Sequence, residues 1–253
     1  MVERATIVLI PARLGSQRLP NKPLAEIGGV PMIVQVWRRA CEAKVGPVVV
    51  ACGEAEIAAA VEAHGGKAAL TEPELPSGTD RIFQALGQID RDGRFERVIN
   101  LQGDLPTLDP GAIRAALEPI DRLGTDLGTL ATPIQDPDER DDPNVVKPVI
   151  ACDPKHPRLG RALYFSRATV PSGEGPVYHH IGIYAYRRAA LERLAVLPPS
   201  PLEQRERLEQ LRALEHVLSI GVALVDTIPL GVDTPKDLER ARAMFSGGHL
   251  SPT

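Results

Sequence analysis

The stretch IVLIPARLGSQRLPNKP, residues 7–23, decides how the rest of the chain is read. Its short apolar run, closed by Pro11, predicts a buried first strand, and the loop that follows carries Arg13, Arg18 and Lys22 beside Gly15 and Ser16. No Asp or Glu falls between Ala5 and Ala25, although 25% of the chain is charged and its net charge is -4. Such a loop holds an uncompensated positive potential suited to a polyphosphate. By composition alone it is equally a solvated basic turn. Its position favours an anion cradle, because ligands of open α/β sheets sit beyond the carboxyl ends of the strands. It is not a P-loop, since no Gly-Lys-Ser/Thr follows the glycine, and it is not a Gly-x-Gly-x-x-Gly dinucleotide turn.

At 253 residues the chain is long enough to bury roughly 70 to 75% of its unfolded surface without disulfides or a structural metal. No apolar run approaches the roughly 18 residues of a membrane span, so a globular, non-membrane protein is expected. Met1 to Ala5 leads into the first strand with no basic region, apolar core or cleavage site, which predicts the cytoplasm. Cys41, Cys52 and Cys152 lack Cys-x-x-Cys spacing and are expected to be reduced, mostly buried thiols rather than zinc or disulfide partners. A slightly acidic balance with 4% aromatic residues argues against a nucleic-acid partner. Any nucleotide is expected to be a free one.

Beyond the loop, apolar residues at helical spacing (Met32, Ile33, Val36, Trp37) predict a core-facing helix, Val48 to Ala51 a second buried strand, and Ala55 to His64 a helix stopped by Gly65-Gly66. Strand and helix alternate as a parallel sheet requires. Pro76 to Arg81 opens a helix that Ser77 or Thr79 can cap, and free N–H groups there, with Gly78 and Arg81, suit a base or phosphate. Arg97 to Gln102 predicts a strand ending in Gly103-Asp104-Leu105-Pro106. A carboxylate at that edge can hold Mg²⁺ against a triphosphate, although an Asp in a turn is also a plain turn former. Asp90-Arg-Asp92 fits an Asp-x-Asp pattern but precedes the strand in an Asp-Gly turn and is set aside.

From Asn144 the chain turns β-rich, with His180, Gly182, Tyr184 and Tyr186 on one face of a strand. Ser200 starts a helix with Leu208, Leu211, Leu214 and Leu218 along one side and an acidic face of Glu203, Glu206 and Glu209 with Gln210. Near the C-terminus, Thr234 as N-cap, Pro235 in the first turn and Asp237 at the third position account for the start of a last helix and leave Asp233 unexplained.

The run P-A-R-L-G-S-Q-R-L-P-N-K-P-L, from Pro11 to Leu24, closely resembles the opening signature of the cytidylyltransferases that activate 3-deoxy-manno-octulosonate (KDO) with CTP. Ser77-Gly-Thr-Asp-Arg81, Gln102-Gly-Asp-Leu-Pro106, Pro201-Leu-Glu-x-x-Glu-x-Leu-Glu-Gln-Leu-Arg212 and Asp233-Thr-Pro resemble further family motifs in the same order, so the likeness spans residues 5 to 242. It implies an α/β, nucleotidyltransferase-like (Rossmann-like) mixed central sheet with helices on both faces. It also implies one domain, residues 1–243, with a β-rich sugar-binding and dimerisation part at about 134–190 and a loose tail at 244–253.

The implied reaction transfers CMP from CTP to KDO, giving CMP-KDO and pyrophosphate for lipopolysaccharide biosynthesis, in a homodimer with Mg²⁺ as cofactor. Carried onto this chain, Arg13, Lys22, Asp104 and Asp233 are the implied catalytic residues, the two carboxylates holding the metal. Pro11, Ala12, Arg13, Lys22, Ser77, Gly78, Arg81, Gln102, Gly103 and Asp104 are implied to bind nucleotide, and Arg167, His180, Tyr184, Glu209 and Gln210 the sugar, Arg167 through its carboxylate. Three departures stand out. Gly53 replaces an acid after the second strand, Leu105 replaces a Glu after Asp104, and the Val170 to Pro176 loop is short, which leaves a sialate or amino-KDO as alternative sugars. A nucleotide-sensing module without catalysis is the alternative outside the enzyme class.

Overall fold

The computed structural model describes residues 5–16 and 18–247; Met1 to Arg4, Gln17 and residues 248–253 lie outside the described residues. Two compact units divide the chain, one formed by residues up to Ile113 together with those from Pro229, the other by Arg114–Ile228. The sequence reading expects a single domain with a β-rich part at about 134–190, and the second unit is wider than that part on both sides. Strand composition marks only the region's middle, whereas hydrogen bonding binds the strand at 220–224 to strands that begin at 127 and 156.

In the first unit, β1 (Thr6–Ala12) leads into a single 3-10 turn (Lys22–Leu24), a short ribbon of β2 (Glu26–Ile27) and β3 (Val30–Pro31), then α1 (Met32–Glu42), β4 (Val48–Cys52), α2 (Ala55–Glu62), β5 (Lys67–Leu70), α3 (Gly78–Ile89) and β6 (Arg97–Asn100). The division falls inside α4 (Pro110–Ala115). The strands run parallel in the order β5-β4-β1-β6. Ile7, Val8, Leu9 and Ile10 are all buried, as a strand covered on both faces requires, and Met32, Ile33 and Val36 of α1 are fully buried.

The second unit holds β7 (Leu127–Pro133), α5 (Pro137–Asp141), β8 (Lys147–Asp153), β9 (His156–Ser166), β10 (Tyr178–Arg187), α6 (Arg188–Ala195), α7 (Pro201–Glu206), α8 (Gln210–Glu215) and β11 (Ile220–Leu224). Its strand order is β10-β7-β11-β9-β8, parallel between β7 and β11 and antiparallel elsewhere. The chain then returns to the first unit as α9 (Pro235–Ser246). No described helix is long and apolar enough to cross a membrane.

Three local expectations need correction. The continuous helix expected from Ser200 is two, because Arg207 takes a left-handed conformation (φ 57°) between α7 and α8. The tail expected to loosen at 244 stays helical through Ser246, and the remainder of it, 248–253, lies outside the described residues. Of the three thiols only Cys52, on β4, is buried; Cys41 on α1 and Cys152 on β8 are exposed.

Candidate active site

The basic loop is anchored from below. Leu19 and Ala25 pack on a cluster of Ile27, Met32, Val232, Leu238 and Ala241, while Pro23 is buried. Asn21, left-handed at φ 56° as Asn tolerates, starts the tight turn that presents Lys22. The Lys22 ammonium donates to Asp104 Oδ2 at 2.9 Å and to Asp233 Oδ1 at 3.0 Å, and Arg18 pairs with Asp233 Oδ2 at 3.0 Å. Burial pulls the Lys22 pKa down, but Asp104 and then Asp233 outweigh it and raise the value, so the ammonium stays charged.

Backbone geometry explains why two carboxylates so distant in sequence share one ammonium. Gly103 lets the turn after β6 close against β1, since a Cβ there would lie 2.9 Å from the Pro11 carbonyl oxygen. The turn is then joined to the returning chain by Val232 N–H to Asp104 O at 2.9 Å and Leu230 N–H to Thr107 Oγ1 at 3.0 Å. Beyond it the α9 capping box forms as expected. Thr234 Oγ1 accepts from Asp237 N–H, and Asp237 Oδ2 accepts from Thr234 N–H at 3.0 Å. Capping therefore leaves the Asp233 side chain free to face Lys22 and Arg18.

A cleft of about 370 Å³ has Lys22 and Asp104 in its wall, and every residue expected to bind nucleotide lines it: Pro11, Ala12, Arg13, Lys22, Ser77, Gly78, Arg81, Gln102, Gly103 and Asp104. That volume is within the range of small-molecule sites. The N-terminus of α3 faces the cleft through Ser77 and Gly78, and Ser77 is the N-cap, accepting from Asp80 N–H at 3.1 Å. Arg81 is buried, and its guanidinium donates to Thr71 Oγ1 at 2.6 Å and to the Glu72 and Pro73 carbonyls at 3.0 and 2.9 Å. It thereby shapes the wall of the cleft. Asp90 of the discounted Asp-x-Asp pattern is buried and caps the amides of Arg94 and Phe95.

Sequence reasoning missed Glu54. Its Oε1 accepts the Leu14 amide at 3.1 Å, tying the root of the basic loop to the turn after β4, and its Oε2 is buried with no partner among the described residues. An acid does follow β4, one residue after the glycine that replaces it. A Cβ at Gly53 would lie 3.0 Å from Arg81 Nη1, so the glycine leaves that guanidinium its room. The signal was the acid at 54 itself.

In the second unit, His180, Tyr184 and Tyr186 share one face of β10 as expected, with ring centroids 5.6 Å apart for the first pair and 6.0 Å for the second. Thr129 Oγ1 donates to the Ile183 carbonyl at 2.9 Å and meets His180 Nε2 at 3.0 Å, so with the hydroxyl proton committed, Nε2 is the donor. Burial keeps the imidazole neutral, lowering its pKa to about 3, and burial likewise raises that of Tyr184. Gln210 is buried at the start of α8, and the charge of Glu209 reaches Tyr184.

Arg167, the implied partner of the sugar's carboxylate, donates from Nε to the Glu206 carbonyl at 2.9 Å and from Nη1 to that of Pro143 at 3.0 Å. Glu206, expected on an acidic solvent or ligand face, turns inward and accepts from Ser166 Oγ at 2.9 Å, Tyr164 OH at 3.3 Å and Arg167 N–H at 3.1 Å. Glu206 is the last residue of α7, immediately before the break at Arg207.

A basic loop and a carboxylate pair around a polar cleft, at the carboxyl ends of parallel strands, are suited to a polyphosphate and a divalent cation. Residues 7–222 match the model of the cytidylyltransferase family, which gives the class. The 3-deoxy-manno-octulosonate cytidylyltransferase of Paramagnetospirillum magneticum is 59% identical over 97% of this chain and 99% of its own. That of Parvibaculum lavamentivorans is 62% identical over 95% and 92%. A solved structure of CMP:2-keto-3-deoxy-manno-octonic acid synthetase complexed with CTP superimposes with a TM-score of 0.87 at 37% identity, covering 96% of this chain and 99% of that one. The chain belongs to the 3-deoxy-manno-octulosonate cytidylyltransferase family.

Proposed function

We propose that this protein transfers CMP from CTP to 3-deoxy-manno-octulosonate, the anomeric hydroxyl attacking the α-phosphorus in line and pyrophosphate leaving. The observation that supports the reading most is the meeting of Asp104 and Asp233 on the Lys22 ammonium, Lys22 and Asp104 themselves lining a cleft built from the family's nucleotide motifs. Arg13 and Lys22 neutralise the triphosphate, the α3 N-terminus with Ser77 and Gly78 and the wall formed by Arg81 and Gln102 seat the nucleotide, and positioning with charge stabilisation supplies most of the rate.

Asp104 and Asp233 would hold Mg²⁺. No cluster of three or more His, Cys, Asp or Glu side chains is arranged for a metal among the described residues, but two carboxylates plus substrate phosphates are a donor set that suits this ion. When bound, it would offset the charge developing on the transferred phosphoryl group. We assign the sugar acid to His180, Tyr184, Glu209 and Gln210, with Arg167 holding the Pro143 and Glu206 backbone in place. The cytoplasm and a homodimer complete the proposal, and light scattering on the purified protein tests the assembly.

Pyrophosphate release with Mg²⁺ and CTP, measured across eight- and nine-carbon sugar acids, tests the activity. Release with KDO above the other acids supports the reading. Preference for a sialate or an amino-KDO would move the assignment to the second reading, which the short loop at 170–176 keeps open. CTP binding without turnover on any acid would leave only a nucleotide sensor.

A further inference from the structure

Lys22 touches both of the carboxylates just assigned to a divalent cation, and one Asp233 oxygen also meets Arg18. A cation shared by Asp104 and Asp233 has to stand between them, which is where the ammonium stands. We propose that Lys22 is a resident stand-in for the metal: it keeps the carboxylate pair assembled in the free protein, and it moves off when a triphosphate enters, so that the divalent cation binds with or after the nucleotide and not before it. The inference rests on the metal role proposed above.

Four observations carry it. The Val232–Asp104 and Leu230–Thr107 hydrogen bonds hold the two turns against each other, so the two carboxylates face the same ammonium and would repel each other without it. The Lys22 side chain is 15% exposed, which distinguishes it from a surface cation sampling many positions. Arg18 is 68% exposed and reaches only Asp233 among these two, so it does not fill the same role. Lys22 also lines the cleft with Gly15 and Ser16, and its unbranched four-carbon stem allows the ammonium to exchange carboxylates for phosphate oxygens without moving the backbone.

Mn²⁺ binding followed by electron paramagnetic resonance tests the proposal on the purified full chain. Without CTP, Lys22→Met is expected to bind Mn²⁺ at least about tenfold more tightly than wild type, a gain of roughly 1.4 kcal/mol, and to recover more melting temperature from added Mn²⁺. Wild type is expected to tighten sharply on Mn²⁺ when CTP is added. Lys22→Gln serves as a second neutral variant should Lys22→Met fail to fold. Unchanged or weaker Mn²⁺ binding in the neutral variants without CTP overturns the proposal, and so does a gain that survives adding Asp104→Asn. Wild type with CTP taking up no Mn²⁺ beyond that held by CTP alone would instead sink the metal reading itself, and this inference with it.

Discussion

Val232 donates its amide to the carbonyl of Asp104 at 2.9 Å, and with the Leu230–Thr107 bond it holds the turns that carry the carboxylates at 104 and 233 side by side. The side chains therefore meet through main-chain geometry on either side of them, with Lys22 as the counter-charge. Changing one carboxylate should disturb the chemistry far more than the fold.

Asp104→Asn is expected to lower turnover by on the order of 10²-fold or more, since a metal's charge stabilisation amounts to several kcal/mol. Its melting temperature should stay within a few degrees of wild type. Pyrophosphate release beside a thermal melt checks both, and near-normal turnover would remove Asp104 from the metal site.

Lys22→Ala should raise the KM for CTP by roughly 10- to 100-fold, the range of a charge-assisted hydrogen bond, while the KM for the sugar acid stays within about twofold. Initial rates at varied CTP and varied sugar separate the two. Equal effects on both substrates would count against the cradle.

Glu54→Ala leaves the Leu14 amide without its acceptor and is expected to cost about 1 to 2 kcal/mol in urea unfolding, together with a higher KM for CTP as the root of the basic loop loosens. Glu54→Gln keeps an acceptor and should stay close to wild type in both. A Gln variant as impaired as Ala would show that the charge matters, not the tether.

Glu203 on α7 accepts from Arg212 Nε at 2.8 Å and Nη2 at 2.5 Å, with both side chains nearly buried. Burial works to raise its pKa, but Arg212 and the Ser200 amide outweigh it and hold it below the usual 4.5. Because the folded pKa is the lower one, the stability this carboxylate lends is present above pH 4.5 and disappears as pH falls through the folded value. Glu203→Gln should cost about 3 kcal/mol near pH 7, with the gap to wild type narrowing in acid. Chemical denaturation from pH 7 down to about pH 3 reads it directly.

His180, with its pKa near 3, should stay neutral through the working range. Its ring resonances are expected not to move between pH 8 and about pH 5, and His180→Asn should leave the shape of the activity–pH curve unchanged while weakening sugar binding. A midpoint near 6.5 on this ring would contradict the packing described around it.

The first unit was largely legible because its signals are local. An unbroken apolar run gives β1, the Ser77 cap gives α3, and the Thr234 box accounts for α9 so completely that Asp233 stands out as unexplained. The second unit was less so. Nothing in the Leu208-to-Leu218 periodicity announces a left-handed Arg207, because tertiary bonds from Glu206 to β9 select that conformation over a continuous helix. The setting of Arg167 was not legible either, because its partners are backbone carbonyls, which no side-chain pattern can display. Glu54 was not legible because its partner is the Leu14 amide, 40 positions away, which no local pattern displays.

The bond from Leu230 to Thr107 has an architectural outcome. It fastens the stretch just before the chain leaves the first unit to the stretch just after it returns, so that unit closes on itself like a clasp. Loop-closure entropy rises only slowly with length, so lengthening or trimming the 170–176 segment should leave that clasp, and the turns that carry Asp104 and Asp233, unchanged.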